Sequence, residues 1–464
     1  MKRNEKGDQV VPSRRDFMAA MGSGALVALG AGPVRAATTG KPTFRAGSGR
    51  ADIVFPPGQF PIDGFTGQHD PLAVRIVLLE DGTTRLAIVV VDLTSIFGDL
   101  ITAIKAIVTD VAGIAAPNII VSASHTFSAP HIFAAGQTPP GTDIQANAAA
   151  WQAVIQSARQ ATTRAHASMQ PARVGADVGT SRVSVNRDVQ TPYGWWLGAD
   201  DAGDTDPTVS VLRIDRLDGR PLAVMTNFAV QSSVMDGSVT STGGRLMTAD
   251  LAGAAMRYVE ARYGPDTAAL FMVGAAGDQA PYLQANRPVV NAGGRAGRMD
   301  IHDAGFAIVD VLGARLGAQV VDVAEKIRAT DMPTLDIRRE SIQVASQAFS
   351  PRMGRATGPV ATFSYTAGPP VSLPVVLVRI GDLALVGVQP ELAAALGARI
   401  RAHSPFAHTM VATMVDGGAK YMPDARSYDR HTYEARSSPF ARGAGEDACA
   451  RIAALLQQAR AAAR

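Results

Sequence analysis

Cysteine is nearly absent: among 464 residues there is only Cys449. That excludes a disulfide framework, a cysteine-rich zinc module and a two-thiol redox centre. Charge is also sparse, at 18% of residues, while 47% are hydrophobic, so a disordered chain is excluded and a large core can be buried. Neither sign of charge dominates beyond the N-terminus. Removing the six basic and three acidic residues of 1–36 from totals of 44 and 41 leaves 38 of each. A nucleic-acid binder carries a basic excess, and none remains here. Several catalytic signatures are missing as well. There is no HExxH zinc helix and no GxSxG nucleophile elbow. The glycines at 293, 294 and 297 have no strand before them, so they do not form a phosphate-cradling loop.

The N-terminus carries an export pattern. Ser13-Arg14-Arg15-Asp16-Phe17-Met18 precedes a soft apolar stretch from Met18 to Gly32, and Val34-Arg35-Ala36 offers small residues at a cleavage site. This order is that of a twin-arginine signal peptide over residues 1–36. It predicts a periplasmic or secreted protein that uses the twin-arginine export machinery. The stretch is too short and too rich in glycine and alanine for a stable span. No later segment is expected to cross a membrane, so the mature chain is expected to carry no integral membrane segment. Residues 37–464 are expected to form one domain.

Beyond residue 45, short β-branched runs alternate with helical patterns. Strands are predicted at 73–79, 86–91, 118–122, 209–214, 222–229, 269–274, 375–380 and 383–388. Helices are predicted at 97–111, 147–167, 249–262, 304–328, 391–402 and 446–463. The fold class is therefore α/β: a layered domain with a mixed sheet and flanking helices. Gly381-Asp382 between two strand patterns predicts a tight hairpin. Loops are expected at 129–145, 282–303 and 347–372, and loops of that length inside a domain tend to be functional.

Polar residues follow the predicted strands in a repeated way. The run 86–91 leads into Asp92, 118–122 into Ser124-His125-Thr126, 222–230 into Gln231, 269–274 into Asp278, and 383–388 into Glu391. Ligands of open α/β sheets bind at the carboxyl ends of strands, so these five could line one cleft. Each also has a plainer reading, since Asp92 and Asp278 could cap turns and Glu391 suits a helix start. Of eight histidines, His125 is the best candidate for chemistry, because it follows a buried-looking strand among small hydroxyl residues. His69 and His131 remain open.

Taken together, these stretches resemble the neutral, non-lysosomal ceramidase family, with this chain as a divergent bacterial member. Gly47-Ser48-Gly49-Arg50-Ala51-Asp52-Ile53 resembles its first strand, followed by His69-Asp70-Pro71-Leu72 and Val91-Asp92-Leu93. Ser124-His125-Thr126-Phe127-Ser128-Ala129-Pro130 is similar to the family's T-H-T-H-S-G-P. Val185-Asn186-Arg187, Asn227-Phe228-Ala229-Val230-Gln231, Gly277-Asp278-Gln279-Ala280-Pro281 and Gln389-Pro390-Glu391 follow in family order. Tyr421, Tyr428, Tyr433 and Glu434 reproduce its C-terminal spacing. The likeness spans about 44–460 and implies the family's catalytic-domain fold, without its C-terminal immunoglobulin-like domain.

The resemblance implies a zinc-dependent hydrolase that cleaves an amide (N-acyl) or ester bond of a small or lipid-like substrate, with metal-activated water as nucleophile. The implied zinc ligands are His125, Gln231, Glu391 and Tyr421. The implied catalytic residues are Arg187 and Tyr433, which would polarise the substrate, with Asp278 beside them. Three departures stand out. Gln231 replaces a histidine, Phe127 replaces the second histidine of the motif, and Ala280 replaces a serine. Zinc is thus expected to be held weakly, with His69 or His131 available to complete its shell. Two other outcomes fit the same departures: metal-free lyase or isomerase chemistry in the same cleft, and a non-catalytic descendant that binds a ligand.

Overall fold

The computed structural model describes residues 44–56, 58–330, 333–349 and 356–462. The export pattern in residues 1–36 lies outside these.

Alternation of apolar residues on both faces of the strands decides the layering. In the strand Ala73–Glu80, Ile76 and Leu78 face one core, while Val77 and Leu79 face another. In Ala367–Ile380, Val376 and Val378 share that second core, while Val375 and Leu377 face a third. Successive side chains of a strand point to opposite faces, so a strand apolar on both must be covered twice. The result is four layers. The helices Gly98–Ala112, Ile144–Ala167, Asp250–Tyr263 and Gly305–Ala324 cover the outer face of an eight-stranded sheet. That sheet packs on a four-stranded sheet, whose far face is covered by the helices Ala394–Ala402 and Ala444–Ala461.

The large sheet runs in the order Ala268–Val273, Pro221–Phe228, Thr208–Arg216, Gln170–Thr180, Arg45–Asp52, Ala73–Glu80, Arg85–Val91, Ile119–Ala123. The small sheet runs Leu335–Gln347, Ala367–Ile380, Leu383–Val388, His408–Ala412. Most pairings are antiparallel. Three are parallel: Pro221–Phe228 with Ala268–Val273, Arg85–Val91 with Ile119–Ala123, and Leu383–Val388 with His408–Ala412. All eight predicted strands exist, and the mixed layered α/β class holds. The hairpin at Gly381-Asp382 forms as expected, with Ile380 opposite Leu383 and Gly381 at φ +61°.

Several expectations need correction. Residues 282–303 are largely a hairpin, Asn286–Val290 with Ala296–Asp300, whose mostly polar, solvent-facing residues hid the strand pattern. The strand Ala367–Ile380 begins inside the expected loop 347–372. Glu391 does not open a helix. Glu391–Leu392 pairs in parallel with Tyr421–Met422, and the helix starts at Ala394, where the amide donates to Asp278 Oδ1 at 2.8 Å. The segment His302–Ala324 is long and apolar enough to cross a membrane by length and composition alone. Its apolar stripe of Phe306, Val309, Leu312, Leu316, Val320 and Val323 is spent on the core instead.

Candidate active site

The parallel strands deliver their carboxyl ends to one place. His125 follows Ile119–Ala123, Gln231 follows Pro221–Phe228, Asp278 follows Ala268–Val273 and Glu391 follows Leu383–Val388. Backbone bonds stitch these ends together. Phe127 N donates to Ser232 O at 3.0 Å, Gly274 N to Phe228 O at 2.8 Å, and Gly277 N to Leu392 O at 2.8 Å. The last contact explains the glycine, because a Cβ at 277 would sit 2.6 Å from the Glu391 carbonyl oxygen.

His125 occupies the left-handed region at φ +62°, a conformation that a non-glycine residue adopts at a cost. The distortion aims its ring. Nδ1 lies 2.6 Å from the Thr94 carbonyl, which can only accept, so Nδ1 carries a proton. Nε2 lies 3.1 Å from Glu391 Oε2. Burial opposes the imidazolium, but the charge and hydrogen bond of Glu391 outweigh it and raise the His125 pKa. Burial likewise opposes the Glu391 carboxylate, and His125, Arg187 and Lys420 together lower its pKa. Both directions describe an imidazolium–carboxylate pair.

Gln231 sits between this pair and Arg187. Its Nε2 donates to Glu391 Oε2 at 2.6 Å, and its Oε1 accepts from Arg187 Nη1 at 2.6 Å. Turning the amide over would put oxygen against carboxylate and NH2 against guanidinium, so its orientation is fixed by its neighbours. Arg187 Nε donates to Glu434 Oε1 at 2.7 Å, and the guanidinium stands 5.2 Å from the Tyr421 ring centre and 5.8 Å from that of Tyr433. Burial and the Glu391 charge hold the Tyr421 hydroxyl well above its usual pKa. Tyr433 is half-buried, edge-on to both Tyr421 and Trp196 with ring centres 5.8 Å apart in each case.

Six of the residues singled out by sequence therefore converge: His125, Arg187, Gln231, Glu391, Tyr421 and Tyr433. Asp278 stands behind them. Its carbonyl accepts from Arg187 N at 2.9 Å, and its buried carboxyl, pushed up to about 6 mainly by burial, accepts from Ala394 N and Gln279 Nε2. Asp92 takes no part, because its Oδ2 holds Arg75 at 2.6 Å in a closed ion pair. His69 stacks on Phe306 with ring centres 3.7 Å apart, and His131 binds Asp63 at 2.9 Å, so both are engaged elsewhere. Phe127 lays its ring edge-on to His125 at 4.7 Å, and Ala280 is buried in a strand opposite Val185. Sequence reading gave no role to Thr94, Asp188 or Glu434. Glu434 was visible only as a neighbour of Tyr433.

The donor set does not fit the implied zinc. Among the described residues no three histidine, cysteine, aspartate or glutamate side chains gather closely enough to hold a metal ion. Only His125 and Glu391 remain, with the Tyr421 phenol. The one further oxygen, Gln231 Oε1, is committed to a guanidinium. A cation needs donors that point lone pairs at it, and here the Arg187 guanidinium already takes the lone pair that Gln231 would offer.

The sequence model described as neutral/alkaline non-lysosomal ceramidase, N-terminal, matches residues 44–293. The neutral ceramidase from Pseudomonas aeruginosa is similar in structure, with a TM-score of 0.69 and 20% identity over 90% of this chain and 75% of that one. A ceramidase complexed with C2 is similar at a TM-score of 0.67 and 20% identity, over 90% of this chain and 76% of that one. At this identity the likeness is one of fold. No curated protein matches the sequence.

Proposed function

This chain belongs to the neutral/alkaline non-lysosomal ceramidase family, and on that premise we propose that it is an exported hydrolase of the amide bond of a lipid-like substrate. The observation that carries the reading is the His125–Glu391 pair beside Arg187 and two tyrosines, an acid, a base and an oxyanion donor in one largely buried cluster. The twin-arginine pattern at Arg14-Arg15 supports export to the periplasm or medium.

The chain's own residues suffice for the step. The Glu391 carboxylate takes a proton from water as the water oxygen attacks the acyl carbon. Arg187 stabilises the oxyanion that forms, with the Tyr421 and Tyr433 hydroxyls beside it. The His125 imidazolium gives its Nε2 proton to the leaving nitrogen as the C–N bond breaks. Glu391 then returns its proton to His125 across the 3.1 Å contact, leaving a carboxylic acid and an amine. Zinc, which the family resemblance implies, has no role in this reading, because the side chains at its expected place bind one another.

The test is elemental analysis of the purified mature chain, together with turnover of a panel of N-acyl amides before and after exhaustive chelation. The expected result is less than one zinc per ten chains and hydrolysis that survives the chelator. One zinc per chain, with activity lost on its removal, overturns the metal-free step. A panel with no turnover at all overturns the hydrolase reading.

A further inference from the structure

Behind Arg187 lies a pair of carboxyl groups that the reaction above does not use. Asp188 and Glu434 are both buried, at 5% and 1% exposure. They lie within hydrogen-bonding reach of each other. Yet Asp188 Oδ1 and Glu434 Oε2 have no donor among the described residues. Two ionised carboxylates cannot share a dry site, but one proton held between them gives both oxygens a partner.

The local backbone makes the arrangement possible. Arg187 and Asp188 are consecutive in the strand Ser184–Thr191, and consecutive strand residues normally point to opposite faces. The pairing register with Gly194–Asp200 shifts between Asn186 and Asp188. Such a bulge breaks the alternation and lets both side chains reach Glu434. The charges then balance. Arg187 carries one positive charge, and the two carboxyls with one shared proton carry one negative charge. Full ionisation would over-neutralise the guanidinium and weaken it as an oxyanion donor. Arg187 Nη2 lies 2.6 Å from Glu434 Oε1 but out of line for a hydrogen bond, so an N–H remains uncommitted.

We propose that Glu434 is the positioning residue of Arg187, and that Asp188 holds the shared proton that keeps the two carboxyls together from over-neutralising it. The role rests on the hydrolase reading above. The remaining charged groups are consistent with it. Arg187 and Asp278 face Asp188, and Arg187 and Arg436 face Glu434. Burial, followed by Glu434 and Asp278, raises the Asp188 pKa well above the ordinary value, while Arg187 opposes the rise.

Two measurements on the mature chain test the proposal. Infrared difference spectra of wild type against Asp188→Asn read the proton directly and need no turnover. The carbonyl stretch of a protonated carboxylic acid should persist in wild type at neutral pH, where an exposed aspartate is ionised, and its contribution should vanish in the variant. Its absence from wild type overturns the shared proton. Kinetics on an N-lauroyl aminocoumarin read the positioning role. Glu434→Gln should lower kcat by about tenfold to a hundredfold with KM little changed. Asp188→Asn, whose amide can donate where the proton did, should stay within about threefold of wild type. Equal losses in both variants, or no loss in Glu434→Gln, overturn the positioning role. A wild type inactive on the probe, with the infrared band present, counts against the hydrolase reading alone.

Discussion

Among the described residues two arginines are buried within strands, and each is held by acids. Arg75 lies between Asp92 at 2.6 Å and Glu260 at 3.3 Å, at 2% exposure. Arg187 lies between Glu434 and the amide of Gln231, at 8% exposure. The first centre is closed: Asp92 also caps the Ala73 amide, and Glu260 also holds the Ala269 amide. The second is left open: among the described residues Arg187 Nη2, Asp188 Oδ1 and Glu434 Oε2 meet no hydrogen-bonding partner, and only the proposed shared proton joins the two acids. A structural ion pair completes its bonds, whereas a reactive one keeps some in reserve. Burial and charge alone do not separate the two cases.

The comparison breaks most readily at the closed centre. Arg75→Ala leaves Asp92 buried without its cation, while Glu260 keeps only Arg50 at 3.6 Å, and should cost about 3–5 kcal/mol of stability, read by denaturant unfolding. Arg187→Ala should abolish hydrolysis with a smaller loss of stability, because Asp188, whose burial already favours its protonated form, leaves one carboxylate rather than two behind. Equal destabilisation by both would erase the distinction. A smaller change sharpens it from the other side. Gln231→His removes the amide that occupies the centre and supplies an imidazole, so zinc affinity by calorimetry should rise roughly tenfold or more. No change in affinity would mean that residue 231 does not govern the metal.

The pH dependence of the His125–Glu391 pair is the next test. Glu391 is lowered from its ordinary 4.5, so its stabilisation is complete above that value and lost as pH falls through the lowered one. His125 is raised from its ordinary 6.5, so its stabilisation is complete below that value and lost as pH rises through the raised one. The stability difference between wild type and Glu391→Gln should therefore be greatest between these values and shrink on both sides. A difference flat with pH would show that the pair is not ionised. The smallest effect is expected at Ala280, which faces Val185 across a strand pair. Ala280→Ser alone should not confer ceramide hydrolysis while Phe127 and Gln231 remain, and recovery measured by fatty-acid release would overturn that view.

Sequence carried the frame well where apolar runs were dense. Leu383–Val388 was legible to the residue, since both faces are buried. Leu335–Gln347 was not, because its outer half alternates with charged and exposed positions. Among site residues, His125, Gln231 and Glu391 were legible because each ends a buried strand. Asp92 fitted the same rule and proved structural, because nothing local in sequence shows where its partner Arg75 lies. Asp188 was hidden by strand alternation, which assigns it to the face away from Arg187 unless the bulge is known. The family resemblance supplied Arg187, Tyr421 and Tyr433, and it also supplied the zinc that the side chains themselves do not accommodate.

The seam between the two sheets has a consequence for inheritance. His125, Arg187 and Gln231 fall within residues 44–293, which carry the family signature, while Glu391, Tyr421 and Glu434 fall outside it. Membership is thus written in one half of the gene and half of the chemistry in the other. Gln231 meets a carboxylate from the other half, Glu391 in the short pair with Tyr421–Met422, so a change at 231 alters the partner of a residue outside the signature. A chain that keeps the signature can therefore change its chemistry only where the far half changes with it.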